Sequence, residues 1–352
     1  MTTRRDLIAG VAALPLAACG GGASNAAVAQ ARAPLSGNPE IAQLVRYATL
    51  APSGHNTQPW RWAVRPTGAS ISPDTTRRTP VVDPDDHHLY VSLGCAAETF
   101  LIAAAAHGRP GTLAVTDGKL DLDLAQGPAR SDELYRAIPL RQSTRSIYSG
   151  RAVSSADLKR LAAAARGNGV DLSFVTGTPR REALLEQLIA GNSRQMDDPA
   201  FIAELLHWLR FNEASASATG DGLFSASSGN PTLPTWLGRR MFGLVFDKAS
   251  ENEKYAAQVR SSAGIVVFTG ARADPASWID VGRSYQRFAL QATALGIRHA
   301  MLNQLVEVPS VRAGFAHWLG IGDARPDLVV RFGYAAQLPM SFRRPVADVI
   351  VA

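Results

Sequence analysis

The chain has 352 residues, of which 46% are hydrophobic and 19% are charged, and its formal net charge is +6. This composition excludes a disordered polar protein, because it provides enough apolar surface for a substantial core. The basic residues are scattered along the chain, which argues against the concentrated basic face of a nucleic-acid-binding protein.

Two further classes of protein are disfavoured by what the sequence lacks. No uninterrupted run of about 18 apolar residues occurs, so we expect no ordinary membrane-spanning helix. The two cysteines, Cys19 and Cys95, are too few for a disulfide framework or a cysteine-based zinc site. Cys95 lies in an apolar stretch and is expected to be a small buried side chain.

The first residues have the pattern of an export signal. The pair Arg4–Arg5 precedes an apolar stretch, Leu7–Ala18, that is too short to span a membrane in the mature protein. The segment around this pair resembles a twin-arginine signal, and the four residues that end at Cys19 resemble a lipobox. An ordinary secretory peptide with a chance cysteine is the alternative interpretation.

We therefore expect residues 1–18 to be a twin-arginine lipoprotein signal and Cys19 to carry the lipid. The protein would then be anchored to a bacterial membrane through this lipid only, facing the periplasm or the cell exterior. The twin-arginine route carries folded proteins, which hints at a cofactor inserted before export. Residues 19–37 are rich in glycine, alanine, serine and proline, which is typical of a flexible tether.

A degenerate internal repeat divides the rest of the chain. Thirteen residues lie between the two glycines that bound segment 94–108, and thirteen lie between those that bound segment 282–296. Both segments are predicted to be helices that end at glycine. Amphipathic helices are predicted in a second pair of segments, 41–51 and 157–167, and a predicted strand follows each of them.

The spacing of the paired helices predicts an insertion in the second half. The offset is 282 − 94 = 188 residues for one pair and 157 − 41 = 116 for the other, so about 72 additional residues fall near 180–260. Helices are predicted at 181–190 and 199–211, followed by a stretch rich in glycine, serine and proline. Long loops of this kind are often functional lids, and a disordered insert is the alternative.

The remaining apolar stretches predict the strands of an α+β fold. Two similar halves, 38–130 and 131–352, are expected to pack as a pseudo-dimer, the covalent equivalent of a two-fold homodimer. Such a chain needs no second copy, so we expect a monomer. The predicted strands are 61–64, 112–115, 120–124, 171–175, 264–269, 328–334 and 346–351.

Segment 51–60, with the sequence APSGHNTQPW, concentrates polar side chains between a predicted helix and a predicted strand. Its two prolines fix the backbone, and Ser53, His55, Asn56 and Gln58 offer hydrogen-bond donors and acceptors at close quarters. Such a loop suits recognition of the edge of a flat heterocycle. A capped turn above a buried tryptophan explains the same pattern equally well.

Segment 139–148, with the sequence PLRQSTRSIY, carries a second polar pattern. Arg141, Ser143 and Arg145 alternate, so an extended backbone points them to one side. Two guanidinium groups and a hydroxyl on one face suit the binding of a phosphate monoester. A solvated basic strand is the alternative.

Together and in this order, the two segments resemble those of the nitroreductase family of flavoproteins. The chain is most similar to the Acg-type FMN-binding subfamily, in which two nitroreductase-like halves are fused. The resemblance extends from about residue 41 to the C-terminus and includes Asn303-Gln304 and Arg343-Arg344. It implies an α+β nitroreductase-like fold that binds FMN at the interface of the two halves, with a lid-like insertion in the second half.

The same resemblance implies a composite FMN site. The phosphate and the ring edge would contact Arg141, Gln142, Ser143 and Arg145, with Arg343 or Arg344 completing the phosphate clamp. The first half would contribute Pro52, Ser53, His55, Asn56 and Gln58. Asn303 and Gln304 match a loop that lies against the flavin ring in that family. No catalytic acid or base is required, because the flavin carries the chemistry.

The departures from the family pattern predict a single site. The first half lacks an Arg-x-Ser-x-Arg segment, and the second half has Arg166–Gly169 in place of the polar loop. One complete composite site remains, so we expect one FMN per chain.

The expected function is that of an exported FMN-binding oxidoreductase with a quinone, nitro or similar small-molecule acceptor. Export would separate the protein from cytoplasmic NAD(P)H, so a quinol or a redox protein is the expected electron donor. The alternative is an FMN-holding protein with a closed lid and little turnover. The adjacent His87 and His88 are predicted to point in different directions, so no metal site is expected there.

Overall fold

The computed structural model describes residues 21–167 and 169–351. The predicted signal, residues 1–18, and the predicted lipid-bearing Cys19 lie outside the described residues. The described chain combines helices with largely antiparallel sheets, so the predicted α+β class is confirmed.

The helices and strands are numbered in chain order. The helices are α1 (Gly21–Arg32), α2 (Ile41–Ala48), α3 (His87–Ala106), α4 (Glu133–Ala137), α5 (Ser155–Ala165), α6 (Thr178–Met196), α7 (Pro199–Trp208), α8 (Glu213–Thr219), α9 (Thr235–Val245), α10 (Lys248–Arg260), α11 (Pro275–Ala294), α12 (Gln304–Glu307) and α13 (Pro309–Leu319). The strands are β1 (Trp60–Arg65), β2 (Gly68–Pro73), β3 (Gly111–Thr116), β4 (Lys119–Leu124), β5 (Asp171–Val175), β6 (Leu209–Arg210), β7 (Leu223–Phe224), β8 (Gly264–Thr269), β9 (Arg298–Met301), β10 (Pro326–Gly333) and β11 (Ile350–Val351).

Two larger sheets carry the fold. The first has the strand order β11-β1-β2-β4-β3, and the second has the order β5-β8-β10-β9. Neighbouring strands are antiparallel except β11, which runs parallel to β1 and pairs Ile350 with Trp62. The end of the chain therefore joins the sheet built from the first half. Every residue of β8 and β10 is buried, because both are central strands.

Helices α3 and α11, each of 20 residues, pack against each other in the core. A Cβ on Gly94 would overlap the carbonyl oxygen of Ile279, and a Cβ on Gly282 would overlap that of Val91. Ile279 lies three positions before Gly282, and Val91 lies three positions before Gly94. The two contacts are therefore equivalent, and the helix pair is two-fold symmetric here. The glycines repeated in the sequence bring two helix backbones into direct contact.

Helix α3 is a core helix. By length and composition it could cross a membrane, but 83% of its apolar 18-residue stretch is buried inside the fold. Phe100 packs on Trp62 of β1 with ring centroids 5.5 Å apart. Cys95 is buried as predicted, and its thiol donates to the Gly282 carbonyl at 3.1 Å.

The segment predicted to be a flexible tether is helical from Gly21 to Arg32, so that prediction is wrong for these residues. The sequence of α1 is rich in alanine, which favours a helix. The C-terminal end of α1 is stabilised by the side chain of Arg46 in α2, which donates to the carbonyls of Gln30, Ala31 and Ala33. The composition of residues 19–37 predicted a flexible segment, because composition carries no information about the contact between Arg46 and the end of α1.

Other differences concern strands and the insertion. Strands β2 and β9 were not predicted, because their small and charged residues lack a continuous apolar pattern. The predicted strand 346–351 is extended only at β11, since a 3-10 turn occupies Val346–Asp348. The insertion near 180–260 contains ordered helices and the short β6–β7 pair, which contradicts the disordered-insert alternative.

Candidate anion-binding cleft

A cleft between the two halves brings the two predicted polar segments together. It encloses about 490 Å³, including its open mouth. The predicted site residues that line it are Pro52, Ser53, Asn56, Arg141, Gln142, Ser143, Arg145 and Arg343. Its other lining residues are Arg32, Gly222, Leu223, Phe224, Ser227, Ser228, Met340 and Ser341.

The first-half wall of the cleft is a loop with an unusual backbone. His55, Asn56 and Gln58 all have positive φ angles, of 48°, 56° and 54°. Non-glycine residues rarely adopt this region, and they do so where surrounding contacts impose it. The Ser53 hydroxyl supports the turn by accepting from the Gln58 amide at 3.0 Å.

Asn56 and Gln58 hold this loop against the insertion and the C-terminal segment. The Asn56 amide group donates to the Gly222 carbonyl at 3.1 Å and to the Phe342 carbonyl at 3.3 Å. The Gln58 amide group donates to the Gly220 carbonyl at 2.8 Å, and its oxygen accepts from the Arg344 amide at 3.0 Å. Both side chains are therefore used mainly to join three segments of the chain.

Segment 141–148 forms the second wall and is fixed by contacts from distant elements. The Gln142 side chain donates to the Leu338 carbonyl at 2.7 Å and accepts from the Leu338 amide at 3.0 Å. The buried Arg331 of β10 donates to the carbonyls of Thr144 and Ser146, at 3.2 Å and 2.9 Å. These supports keep the alternating side chains of the segment in place, which the alternative of a solvated strand does not require.

Arg141 is the strongest candidate for a direct ligand contact. It is 4% exposed, and its Nη2 donates to the Leu50 carbonyl at 2.8 Å. Its Nε and Nη1 are buried without a hydrogen-bond partner among the described residues. Buried donors are normally satisfied, so the arrangement fits an acceptor group that enters the cleft. Burial lowers the pKa of Arg141, which reflects the cost of this charge.

Arg343 reaches the same cleft, but its five N–H groups are already occupied. They donate to Thr49 O, Asn56 Oδ1, Phe342 O, Leu50 O and Ala51 O, at distances from 2.7 to 3.5 Å. Arg343 therefore supports the backbone that follows α2 and contributes its charge to the cleft. The predicted role as a direct phosphate clamp is not supported by free donors.

Arg32 at the end of α1 is a lining residue that the sequence did not indicate. Its Nη2 donates to the Ser341 carbonyl at 3.3 Å, and its Nη1 is buried without a partner in the described chain. Burial and the nearby Arg141 lower the pKa of Arg32 to about 10. Burial, Arg32 and Arg141 likewise hold the pKa of Arg343 well below its ordinary value. These three guanidinium groups are thus close neighbours.

The charge of the cleft is one-sided. Four arginines line it, and no aspartate or glutamate does among the described residues. A buried cluster of like charges is unfavourable unless an opposite charge compensates it. The cleft is therefore built for an anion.

Arg145, which also lines the cleft, has His55 as a neighbour. The Arg145 guanidinium makes no hydrogen bond to the part of the chain that the structure describes, although its carbonyl accepts from Gln258 at 2.8 Å. Burial, Arg145 and His88 lower the pKa of His55 to about 4. His55 is therefore neutral at neutral pH and adds no further positive charge.

Several predicted site residues do not line the cleft. They are His55, Gln58, Asn303, Gln304 and Arg344. Arg344 donates to the carbonyls of Gln58 and Asp348, at 3.3 Å and 2.8 Å. The Asn303 side chain accepts from the Val329 amide at 3.1 Å and lies 3.5 Å from His88 Nε2. These residues contact other parts of the protein instead.

The prediction that His87 and His88 point in different directions is wrong. Both are buried, and their ring centroids are 4.5 Å apart. His87 Nε2 lies 2.9 Å from Asp327 Oδ1, and ligand atoms of Asp83, His87 and His88 lie within 4.8 Å of one another. Asp83 also accepts from the His88 and Leu89 amides, both at 2.9 Å, and so caps α3.

The missed lining residues share a cause. Gly222, Leu223 and Phe224 belong to the insertion, and Met340 and Ser341 lie in an irregular C-terminal segment. The sequence carries no recognisable ligand motif at these positions. For Arg32, the only related feature of the sequence is the general excess of arginine over lysine, which does not identify an individual residue.

Comparison with known proteins gives relatives over most of the chain. A Mycobacterium tuberculosis H37Rv protein named "Putative NAD(P)H nitroreductase Rv3131" is 28% identical over 325 residues, which cover 88% of this chain and 90% of that protein. "Putative NAD(P)H nitroreductase acg" of the same strain is 24% identical over 326 residues, covering 88% and 94%. No protein-family model matches the chain.

Solved structures of similar proteins match a smaller share of the chain. The FMN- and NADPH-dependent nitroreductase NfnB from sphigopyxis sp. strain HMH has 17% identity and a TM-score of 0.41, covering 62% of this chain and 98% of that one. NfnB from Mycobacterium smegmatis in complex with NADPH has 14% identity and a TM-score of 0.40, covering 61% and 96%.

Proposed function

We propose that this protein is an FMN-dependent oxidoreductase of the nitroreductase type. The observation that carries the proposal is a cleft lined by four arginines, one of which, Arg141, has two buried nitrogens without a hydrogen-bond partner among the described residues. A phosphate monoester is the anion that such donors recognise best. The resemblance of segments 51–60 and 139–148 to those of nitroreductase flavoproteins supports FMN as the carrier of this phosphate, and relatives named NAD(P)H nitroreductases match 88% of the chain.

The residues of the cleft fit FMN in distinct ways. Arg141 and Ser143 would hold the phosphate, and Arg343 would add positive charge while keeping the loop after α2 in place. Pro52, Ser53 and Asn56 would face the cofactor from the first half.

FMN supplies hydride and electron transfer when bound, so the protein must supply binding, orientation and electrostatics. The unpartnered guanidinium of Arg145 is available to stabilise negative charge on the cofactor. Residues 222–224, 227 and 228 of the insertion line one side of the cleft and would limit the access of water to the cofactor. A quinone, nitro compound or similar electrophile is the proposed acceptor, and NAD(P)H, a quinol or a redox protein is the proposed donor.

A second candidate function is the holding of FMN without turnover. It is favoured by the hydrogen bonds that join Asn56 and Gln58 to Gly222 and Gly220 of the insertion. These contacts hold the insertion against the first-half wall of the cleft, which would restrict the access of a second substrate.

The test is the visible spectrum of the purified protein under anaerobic conditions. We expect one FMN per chain, a monomer in solution, and bleaching of the flavin by NADPH or by a quinol. A yellow protein that only dithionite bleaches would favour FMN holding. A colourless protein that FMN cannot reconstitute would refute both functions.

Export to a membrane is proposed from the sequence alone. The pair Arg4–Arg5 and the lipobox-like residues before Cys19 support it. We expect the protein in the membrane fraction of its host and a Cys19→Ser variant in the soluble exported fraction. Arg4 and Arg5 replaced together by lysine should leave the protein in the cytoplasm, and unchanged membrane recovery of both variants would refute the proposal.

A further inference from the structure

We propose that Arg32 is an additional phosphate-binding residue and that helix α1 is a strap, which docks on the cleft when the phosphate is bound. The inference rests on the proposed function for the identity of the ligand. It concerns a segment that lies outside the two polar motifs and that composition predicted to be a tether.

The position of Arg32 is that of a ligand residue. It lines the cleft together with Arg141, and one nitrogen of its guanidinium donates to the Ser341 carbonyl at 3.3 Å. A second nitrogen, Nη1, is buried and has no hydrogen-bond partner among the described residues. Arg141 has two such nitrogens, so both arginines line the same cleft and have nitrogens without a partner in the described chain. A phosphate has enough acceptor oxygens to satisfy all of them.

Electrostatics favour the same assignment. Arg141 lowers the pKa of Arg32, and both of them lower the pKa of Arg343, so the three guanidinium groups are close neighbours. Because no carboxylate among the described residues lines the cleft, the protein itself does not compensate the repulsion there. A phosphate with nearly two negative charges offsets it and draws Arg32 toward Arg141.

The docking of α1 is otherwise weakly supported. A helix of 12 residues is marginal in isolation. Val28 packs on a small apolar cluster that includes Phe224 and Phe342, and Arg46 holds the carbonyls at the end of the helix. Ala31 also packs against the main core, so the apolar contacts of α1 are few, and Arg32 adds a polar contact at the cleft. Phosphate binding and docking are then coupled, since each favours the same state.

The first experiment compares FMN with riboflavin, which lacks the phosphate, in binding titrations on the full chain. We expect Arg32→Met to weaken FMN binding about tenfold and to leave riboflavin binding unchanged. Arg166→Met removes an exposed positive charge outside the cleft and should change neither affinity. Equal loss of both ligands, or no loss of FMN affinity, would overturn the assignment of Arg32 as a phosphate ligand.

The second experiment follows amide hydrogen exchange of residues 26–32 in the unmodified chain. FMN or inorganic phosphate should slow exchange in this segment, and riboflavin should not. Exchange that FMN and phosphate leave unchanged would overturn the strap. If the chain binds neither flavin, the proposed function fails, whereas slowed exchange with inorganic phosphate alone would still support Arg32 as an anion ligand.

Discussion

Two buried arginines show how differently the same side chain is used in this protein. Arg331 is fully buried, and its two terminal nitrogens donate to the carbonyls of Gln258, Thr144 and Ser146. Arg141 is nearly as buried, but two of its three nitrogens have no partner in the described chain. Arg331 therefore stabilises the fold, whereas Arg141 has nitrogens available to bind a ligand.

Replacement of Arg141 by methionine should separate binding from stability. We expect Arg141→Met to weaken FMN binding by about 30-fold or more, since charged hydrogen bonds contribute about 1.5–3 kcal/mol each. The free energy of unfolding of the flavin-free protein should stay the same or rise, because an apolar side chain of similar size removes an uncompensated buried charge. Flavin titration and denaturant unfolding measure the two effects.

Arg331→Met is the matched control for this prediction. It removes hydrogen bonds to three buried or part-buried carbonyls, so the flavin-free protein should lose about 2–4 kcal/mol of unfolding free energy. If Arg141→Met destabilises the protein as much as Arg331→Met, Arg141 is a structural residue and the cleft needs another explanation.

At the scale of elements, the contact between α3 and α11 gives the internal repeat its physical basis. Gly94 and Gly282 occupy equivalent positions, and each contacts a backbone carbonyl of the other helix. The two polar segments of the cleft lie on either side of α3 in the chain, at 51–60 and 139–148. The packing of these helices therefore helps to determine how the walls of the cleft meet.

Gly94→Ala should destabilise the protein strongly. The new methyl group would overlap the Ile279 carbonyl, which belongs to a helix backbone and cannot rotate away. We expect a loss of at least about 3 kcal/mol, at the upper end of the cost of overpacking. Gly314→Ala in α13 is the control, because a Cβ there has nothing within 4 Å and alanine favours a helix. Equal melting temperatures for the two variants would contradict this account of the helix contact.

At the scale of the whole molecule, the sequence predicted those strands and cleft residues that depend on local sequence patterns. The strands at 171–175 and 264–269 have the predicted bounds, because apolar residues predominate in both stretches. Arg141, Ser143 and Arg145 line one cleft, as their alternation predicted, but Gln142 between them lines it too. Arg32 and the insertion residues could not be predicted, since distant contacts such as that between Arg46 and the end of α1 bring them to the cleft.

Acid sensitivity is a further property of the whole molecule. Burial, Arg145 and His88 lower the pKa of His55 to about 4, and burial and nearby arginines lower that of His299 to about 3. The unfolded chain has histidine pKa values of about 6.5, so it binds more protons than the folded chain below that pH. The free energy of unfolding should therefore fall as the pH drops from about 6.5 toward 4.

A single substitution isolates the part that His55 contributes to this pH dependence. Asparagine tolerates the φ of 48° at this position, so we expect His55→Asn to fold and to reduce the slope by about 1 kcal/mol per pH unit between pH 6.5 and 4. The exposed His317→Asn is the control and should keep the slope of the unmodified protein. Denaturant unfolding of the flavin-free proteins at several pH values measures both slopes. If the slope of His55→Asn matches that of His317→Asn, His55 is free to take up a proton in the folded state.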